Sequence, residues 1–264
     1  MKDITLEIIR QYKSGLAGYK IAEKLGLSSY SVYKILERKE LTRTNKENYK
    51  VIFNDTYFQK INTEKKAYFL GLLAADGCVI EPKQSSPILK IDLKEDDAQI
   101  LFLLAEELEL SRTRLKRYKY KEPNSFLVRL LVPSEQIVLD LEQYGIIPRK
   151  TFSTYFPSNI PKDLERHFIR GYFDGDGCIT VGPTIKITGT SEILLEVQNI
   201  LVENCFLGNK TKLQTRFPER ENNIRSLEIG GKLQVSRIYN YLYDKASVYF
   251  ERKKNRFMEL LYEN

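Results

Sequence analysis

Twelve residues of this chain occur twice. Residues 69–80 read F-L-G-L-L-A-A-D-G-C-V-I, and residues 169–180 read I-R-G-Y-F-D-G-D-G-C-I-T. At an offset of 100 the copies share Gly71/Gly171, Asp76/Asp176, Gly77/Gly177 and Cys78/Cys178, with apolar residues between. Each copy follows a helical start signal, with Asn62 or Thr63 as N-cap of the first, and each ends in Asp-Gly. The pattern predicts two helices whose last turns hold the aspartates, with Gly77 and Gly177 as left-handed C-caps. Small residues one turn apart, Gly71 with Ala75 and Gly171 with Gly175, share a face. Such a stripe lets two backbones approach closely, so the helices pack against each other about a pseudo-twofold axis. Both aspartates then arrive at one end.

That arrangement has an electrostatic cost. A carboxylate beside a helix C-terminus is disfavoured by ~0.3–1 kcal/mol, and two carboxylates together repel unless a cation lies between them. Ordinary helix capping gives no reason to do this twice.

Each motif is followed by strand-like runs: Cys78–Ile80, Ile88–Leu93, Arg112–Tyr120 and Phe126–Val132, with a helix over 97–109 between the second and third. The second half repeats the order, with strands over Cys178–Val181, Thr184–Thr188, Lys210–Phe217 and Ile224–Ile229 and a helix over 191–203. Residues 112–121, R-T-R-L-K-R-Y-K-Y-K, hold six basic residues and no acid. Strand alternation puts Arg112, Arg114, Lys116, Tyr118 and Tyr120 in one row. Lys210, Lys212, Gln214 and Arg216 form the matching row in the second half. A solvated edge strand also carries lysine, but this density of arginine and tyrosine favours a nucleic-acid surface. The fold class is therefore α+β: two pseudo-twofold-related halves, over 63–160 and 161–264.

The paired stretches resemble the signature of the LAGLIDADG homing endonucleases in their single-chain, two-motif form. The resemblance implies αββαββα halves whose sheets lie along the major groove of a long DNA site. It implies that the second acid of each motif, here Asp76 and Asp176, binds the catalytic metal together with the carbonyls of Ala75 and Gly175. The implied cofactor is Mg²⁺, with Mn²⁺ able to substitute. The family's first acid stands at Asp174 in the second copy but is replaced by Ala74 in the first. Basic segments close each half, Y-G-I-I-P-R-K-T at 144–151 and Y-F-E-R-K-K-N-R-F at 249–257. They resemble those that supply the family's active-site lysines, so Lys150 and Lys253 take that role, with Lys254 a close competitor. The implied activity is metal-dependent cleavage of both DNA strands to leave short 3′ overhangs, by a monomer serving intron or intein mobility.

Ahead of the repeat, residues 1–45 resemble a helix-turn-helix. Residues 4–14 have helical periodicity and stop at Gly15. In residues 19–38 Ala22 sits at the helix crossing and Gly26 makes the turn, while Leu27, Val32 and Ile35 fill the space beneath. Ser28 or Ser29 caps the second helix. Tyr30, Ser31, Tyr33, Lys34 and Arg38 are left to face a major groove or its phosphates. A polar linker and lead-in span 46–62.

Composition narrows the alternatives. A formal charge of +7 and a pI near 9.1 fit a polyanionic partner. Three cysteines without a C-x-x-C pair argue against a disulfide framework or a zinc site, and Cys78 and Cys178 are expected to be small buried residues. His167 is the only histidine, expected near a helix start, which removes imidazole-based triads and nucleases. No run approaches the ~18 apolar residues of a membrane span, and the N-terminus lacks the apolar core of a signal peptide, so the expected setting is soluble and intracellular. Two rivals stand beside the nuclease. One is a DNA-binding regulator or RNA maturase that does not cleave. The other is a nuclease site made of Asp76 with Asp92 and Lys94.

Overall fold

The computed structural model describes residues 2–14, 16, 18–39, 41, 53–110, 114–120, 125–216 and 222–262. It divides into two compact units, Met1–Ile52 and Phe53–Asn264.

The first unit holds α1 (Lys2–Lys13), α2 (Gly18–Leu25) and α3 (Ser29–Arg38). Ile8, Tyr12, Ile21, Ala22, Val32 and Leu36 make its core, with Leu27 and Ile35 packed against them. Gly26 turns the chain between α2 and α3 at a φ of 65°, in the left-handed region where a side chain is strained. Of the two candidate caps Ser28 is the one used, its hydroxyl accepting from Ser31 N at 3.1 Å. The proposed stop at Gly15 and residues 46–52 of the linker and lead-in lie outside the described residues.

The second unit begins with residues 53–62, whose Tyr57, Phe58 and Ile61 are buried. Its first half runs α4 (Glu64–Asp76), β1 (Gly77–Ile80), β2 (Ile88–Lys94), α5 (Ala98–Glu107), β3 (Leu115–Lys119), β4 (Phe126–Pro133) and α6 (Glu135–Glu142). Its second half runs α7 (Lys162–Asp176), β5 (Gly177–Thr180), β6 (Thr184–Thr190), α8 (Ser191–Asn204), β7 (Gln214–Thr215), β8 (Ile224–Gly230), α9 (Lys232–Tyr243) and α10 (Glu251–Tyr262). The two antiparallel sheets have the same order, β1-β2-β4-β3 and β5-β6-β8-β7. Gly77 pairs with Ile91 and Gly177 with Ile187, so the register repeats as well. The α+β reading and its duplicated halves hold.

α4 and α7 pack on each other at the centre. A helix apolar all round must be buried all round, and in α4 every residue from Ala67 to Ala74 is buried. Thr63 caps α4, accepting from Lys66 N. The small-residue stripe is used at backbone contact: a Cβ on Gly71 would stand 2.0 Å from the Phe168 carbonyl oxygen, and one on Gly171 2.0 Å from that of Tyr68. No side chain fits at either place.

Three expectations are corrected. Gly77 and Gly177 are not left-handed caps; their φ values are −71° and −99°, and each enters a strand directly. Glycine is required because a Cβ would meet the Leu73 or Phe173 carbonyl oxygen at 2.5 and 2.6 Å. Cys78 and Cys178 are exposed, not buried. They occupy the first outward position of β1 and β5, and alternation turns them away from the helices. The strand expected over Lys210–Phe217 is reduced, among the described residues, to Gln214–Thr215. Gln198 Nε2 donates to the Thr211 carbonyl at 2.9 Å, taking an acceptor that a longer ladder would use.

Candidate functional site

The ends of α4 and α7 bring Asp76 and Asp176 together. A Cβ on Gly175 would stand 2.3 Å from the Ala75 Cβ and 3.1 Å from Asp76 Oδ2, so the two last turns nearly touch. Both aspartates keep surface open to solvent while protein crowds their flanks. That crowding, and then the Asp176 carboxylate opposite, push Asp76 up to about 6. Asp176 is raised by burial as well, against the pull of Lys150, Lys253 and Arg216.

Lys150 and Lys253 flank the pair and are both nearly buried, at 8% and 5% exposure. Lys150 opens a 3-10 turn, Lys150–Phe152, and its Nζ donates to the Ala75 carbonyl at 3.2 Å. It lines a cavity of about 350 Å³ with Thr151, Asp176, Thr188 and Asn222. Burial lowers its pKa, and the Asp176 and Asp76 carboxylates oppose that. Lys253 Nζ donates to three carbonyls at the end of α7, those of Phe173 and Asp174 at 2.6 Å and of Gly177 at 2.5 Å. Burial brings it down to about 8, with Asp174 opposing. Lys254, the competitor, instead packs over the Tyr249 ring and donates to its hydroxyl.

Among the described residues no three His, Cys, Asp or Glu gather as a metal cluster. The donors at the helix ends do fit one kind of ion. Carboxylate and carbonyl oxygens suit a hard divalent cation, and Mg²⁺ in particular is held by one or two carboxylates with substrate phosphates and water completing its shell. Asp76 is raised first by burial and then by the Asp176 carboxylate opposite, a repulsion that a bound cation would relieve. Asp92 belongs to a different group. Arg129 clamps both its oxygens at 2.7 and 2.8 Å, so the carboxylate that the rival site of Asp76, Asp92 and Lys94 would need is already engaged.

The open faces of the sheets carry the basic residues. Leu89, Ile91 and Leu93 point into the core, so Lys90 and Asp92 point outward. Lys116 faces Arg129 across the ladder, and Tyr118 and the flanking Arg114 and Tyr120 follow Lys116 in alternation. Arg117 takes the other face, paired with Glu95 and stacked on the Phe126 ring. Arg112 lies outside the described residues. In the second sheet Gln214, Ser226 and Thr188 share the outer face, where Arg216 Nη1 donates to Thr188 Oγ1 at 3.3 Å. Lys210 and Lys212 are exposed, in irregular backbone. The sequence reading missed Lys90, Arg129 and Lys186. Their alternation within apolar strands is the signal that could have found them. In the first unit Tyr30 is 71% exposed, Ser31, Lys34 and Arg38 are exposed beside it, and Tyr33 leans on Gly18.

Residues 163–242, which include the second motif and its sheet, match the family described as a LAGLIDADG-like domain. The chain is 23% identical over 211 residues to probable intron-encoded endonuclease 4 of Neurospora crassa, covering 70% of this chain and 38% of the relative. It is 27% identical over 189 residues to elongation factor 2 of Methanopyrus kandleri, covering 69% of this chain and 13% of that one. It thus spans well under half the length of these curated relatives. Similar solved structures include I-DmoI in complex with DNA and Mn (16% identity, TM-score 0.45, 72% of this chain and 99% of that one). I-SmaMI bound to cleaved DNA is another (12% identity, TM-score 0.47, 76% and 88%). Among the described residues no helix is long and apolar enough to cross a membrane.

Proposed function

We propose that this chain, in which residues 163–242 form a LAGLIDADG-like domain, is a site-specific double-strand DNA endonuclease acting as a single-chain monomer. The observation that carries this reading is the meeting of Asp76 and Asp176 at the touching ends of α4 and α7, with Lys150 and Lys253 beside them. A structural helix pair gains nothing from two adjacent carboxylates.

Hydrolysis of each strand adds one water across a P–O3′ bond. The water oxygen bonds to phosphorus, the 3′ oxygen leaves and takes a proton, and the phosphate stays on the 5′ side. Asp76 and Asp176, with the Ala75 and Gly175 carbonyls, would hold the divalent cation, with Mg²⁺ the expected ion. When bound, such an ion lowers the pKa of water and offsets charge at the phosphorus oxygens. The residues themselves set the geometry: the glycine contacts bring the carboxylates together, and the lysines would offset the charge that grows on the phosphate. The outer sheet rows, with Lys116, Tyr118, Arg216 and Lys90, would lie along the duplex. Tyr30, Ser31, Tyr33, Lys34 and Arg38 of the first unit would add contacts beyond it.

Sequencing of the ends produced from a randomised DNA library with Mg²⁺ tests the reading. One long preferred site cut on both strands is expected. Asp76→Asn or Asp176→Asn should abolish cutting while leaving binding of that site intact. Binding without cutting by the wild type would give the chain to the regulator class.

A further inference from the structure

The outer face of the first sheet is basic with one exception. Among the described residues of β1 to β4 that point outward, Asp92 is the only acid, and cations take both its oxygens. Arg129, its partner across the β2–β4 ladder, donates from Nε to Asp92 Oδ1 at 2.7 Å and from Nη2 to Oδ2 at 2.8 Å. Nη2 also donates to the Tyr118 hydroxyl at 3.0 Å, with the guanidinium lying over the Tyr118 ring. Lys90 Nζ stands 3.3 Å from Asp92 Oδ2. Burial pushes the Asp92 carboxyl up, but the bonds from Arg129 and Tyr118 and the charge of Lys90 outweigh it and hold the group below the usual carboxylate range. Asp92 is therefore charged at neutral pH.

The donors left over decide what Arg129 can still do. A guanidinium has five N–H bonds. Nε gives its one to Asp92 and Nη2 gives both of its own to Asp92 and Tyr118, so neither edge can grip a phosphate with two parallel bonds. The two Nη1 protons have no partner among the described residues. β2 and β4, which carry the pair, are the inner strands of the order β1-β2-β4-β3. Adjacent strands stand ~4.8 Å apart, so four strands laid along a major groove fill its ~12 Å width. The edge strands then lie against the phosphate walls and the inner strands over the base edges, the one place where a carboxylate is tolerable. Guanine offers two adjacent acceptors there, N7 and O6, whereas adenine sets a donor beside N7 and thymine a methyl beside O4. A cationic N–H favours guanine. The matching row of the second sheet, Thr188, Ser226 and Gln214, holds no such pair.

Resting on the site-specific endonuclease reading, we infer that Arg129 reads one guanine of the first half-site through Nη1, and that Asp92 is the positioning residue that makes the contact selective by keeping Arg129 and Lys90 off the phosphates. An unrestrained arginine and lysine in the same place would bind any sequence by charge alone. Asp92 thus lowers affinity for DNA in general and raises discrimination at one base pair.

The test measures binding rather than cutting. Full-length wild type, Arg129→Ala, Arg129→Lys, Asp92→Asn and Tyr118→Phe are titrated without divalent ions at several salt concentrations. The probes are the site that wild type selects from a randomised duplex library and its single-base variants. Wild type should prefer guanine at one base pair of one half by about tenfold or more. Arg129→Ala should lose that preference and leave the rest of the site as it was. Arg129→Lys should keep the affinity without the preference, because an ammonium cannot hold Asp92 with a fork. Asp92→Asn should lose the preference at the same base pair, bind unrelated DNA more tightly, and steepen the log K against log salt slope by about 0.9 for each cation released to a phosphate. Tyr118→Phe removes one hydroxyl and should weaken the same preference in part; with the arginine variants it decides alone should Asp92→Asn fail to fold. Weakening of all sequences alike by Arg129→Ala overturns the inference, as does an Asp92→Asn variant whose preference or slope is unchanged. A wild type that prefers no sequence would remove the site-specific reading and this inference with it, whereas preference without cutting in Mg²⁺ would remove the endonuclease reading alone.

Discussion

The contact between α4 and α7 makes a sharp stability prediction. A Cβ added at Gly71 would lie 2.0 Å from Phe168 O and 2.9 Å from Tyr172 N, and one at Gly171 2.0 Å from Tyr68 O and 2.9 Å from Leu72 N. A carbon and a carbonyl oxygen settle at ~3.3 Å or more, so each alanine is too close by about 1.3 Å. Both sides of the clash are backbone, and no rotamer change relieves it. The helices must separate, and a gap of ~0.5–1 Å already forfeits a quarter to a half of the dispersion contact across an interface.

Overpacking usually costs ~1–3 kcal/mol and sometimes more. A clash between two backbones belongs at the top of that range, so Gly71→Ala should cost ~3 kcal/mol. At ~2–4 °C per kcal/mol for a unit of this size, the midpoint should fall by about 6–12 °C. Gly171→Ala should match it. One separation of the helices relieves both clashes, so the double variant should lose clearly less than the sum, the non-additivity expected of neighbours. Gly208→Ala is the control: its Cβ meets nothing within 4 Å, and the reduced freedom of the unfolded chain should leave it neutral or better by ~0.4–1 kcal/mol. Urea titrations of the four variants measure all of this. A loss below ~1 kcal/mol in either single variant, or additivity in the double, refutes the close-contact argument.

Asp76 is raised from 3.8 to about 6 in the fold, so between those values the folded chain holds a proton that the unfolded chain has released. The stability this group contributes is full below its unfolded pKa and is lost as pH rises through about 6. Asp76→Asn should therefore melt above wild type at about pH 7 without divalent ions, with the difference closing by about pH 4. Mg²⁺ at neutral pH should raise the wild-type midpoint and leave the variant's unmoved; an equal shift in both would remove the metal from Asp76. Lys116→Ala should weaken binding to all sequences and reduce the log K against log salt slope by about 0.9, whereas Arg216→Ala should cost ~1–3 kcal/mol at one or two base pairs only. Binding measured at several salt concentrations against single-base variants separates the two. Deleting residues 1–45 should weaken binding and shorten the protected DNA while cutting persists at high enzyme concentration; a folded but inactive truncation would refute a separable first unit.

Most of the duplicated architecture was legible because it rests on local rules. Alternation in Ile88–Lys94 and Thr184–Thr190 and the Thr63 cap follow from neighbours a few residues away, and small residues one turn apart mark the face on which the other helix packs. The misreadings arose where one local signal serves two geometries. Asp-Gly suits a left-handed cap, yet here glycine answers to the Leu73 and Phe173 carbonyls. Cysteine suits a core, yet the register of Gly77 against Ile91 turns Cys78 outward. The three carbonyls that Lys253 meets could not be read, since they lie in and just after α7, far back in the chain. The same is true of the clamp that Arg129 places on Asp92, made between strands 37 residues apart.

The two halves share a backbone but divide its chemistry unequally. Where α4 has Ala67, Leu70 and Ala74, α7 has His167, Arg170 and Asp174, all three buried. A buried guanidinium is tolerable only when its donors are met. Arg170 donates to Val248 O at 2.9 Å, to Leu242 O at 2.7 Å, to Glu64 Oε1 at 2.7 Å and to His167 Nδ1. For His167 to accept that bond Nδ1 must be unprotonated, and burial with the neighbouring Arg170 holds the ring neutral by bringing its pKa down to about 4. Three of these partners lie in α9, in the turn before α10 or at the start of α4, and Glu64 also receives Ser247 N. The network therefore clamps the α9–α10 connection to the central helices, and Asp174 carries the clamp on to Phe250 and so to Lys253. With apolar residues at the matching places, α4 has no equivalent hold on the segment around Lys150. A chain folded from two copies thus keeps one axis while its second half alone ties the closing segment to its own central helix through Asp174.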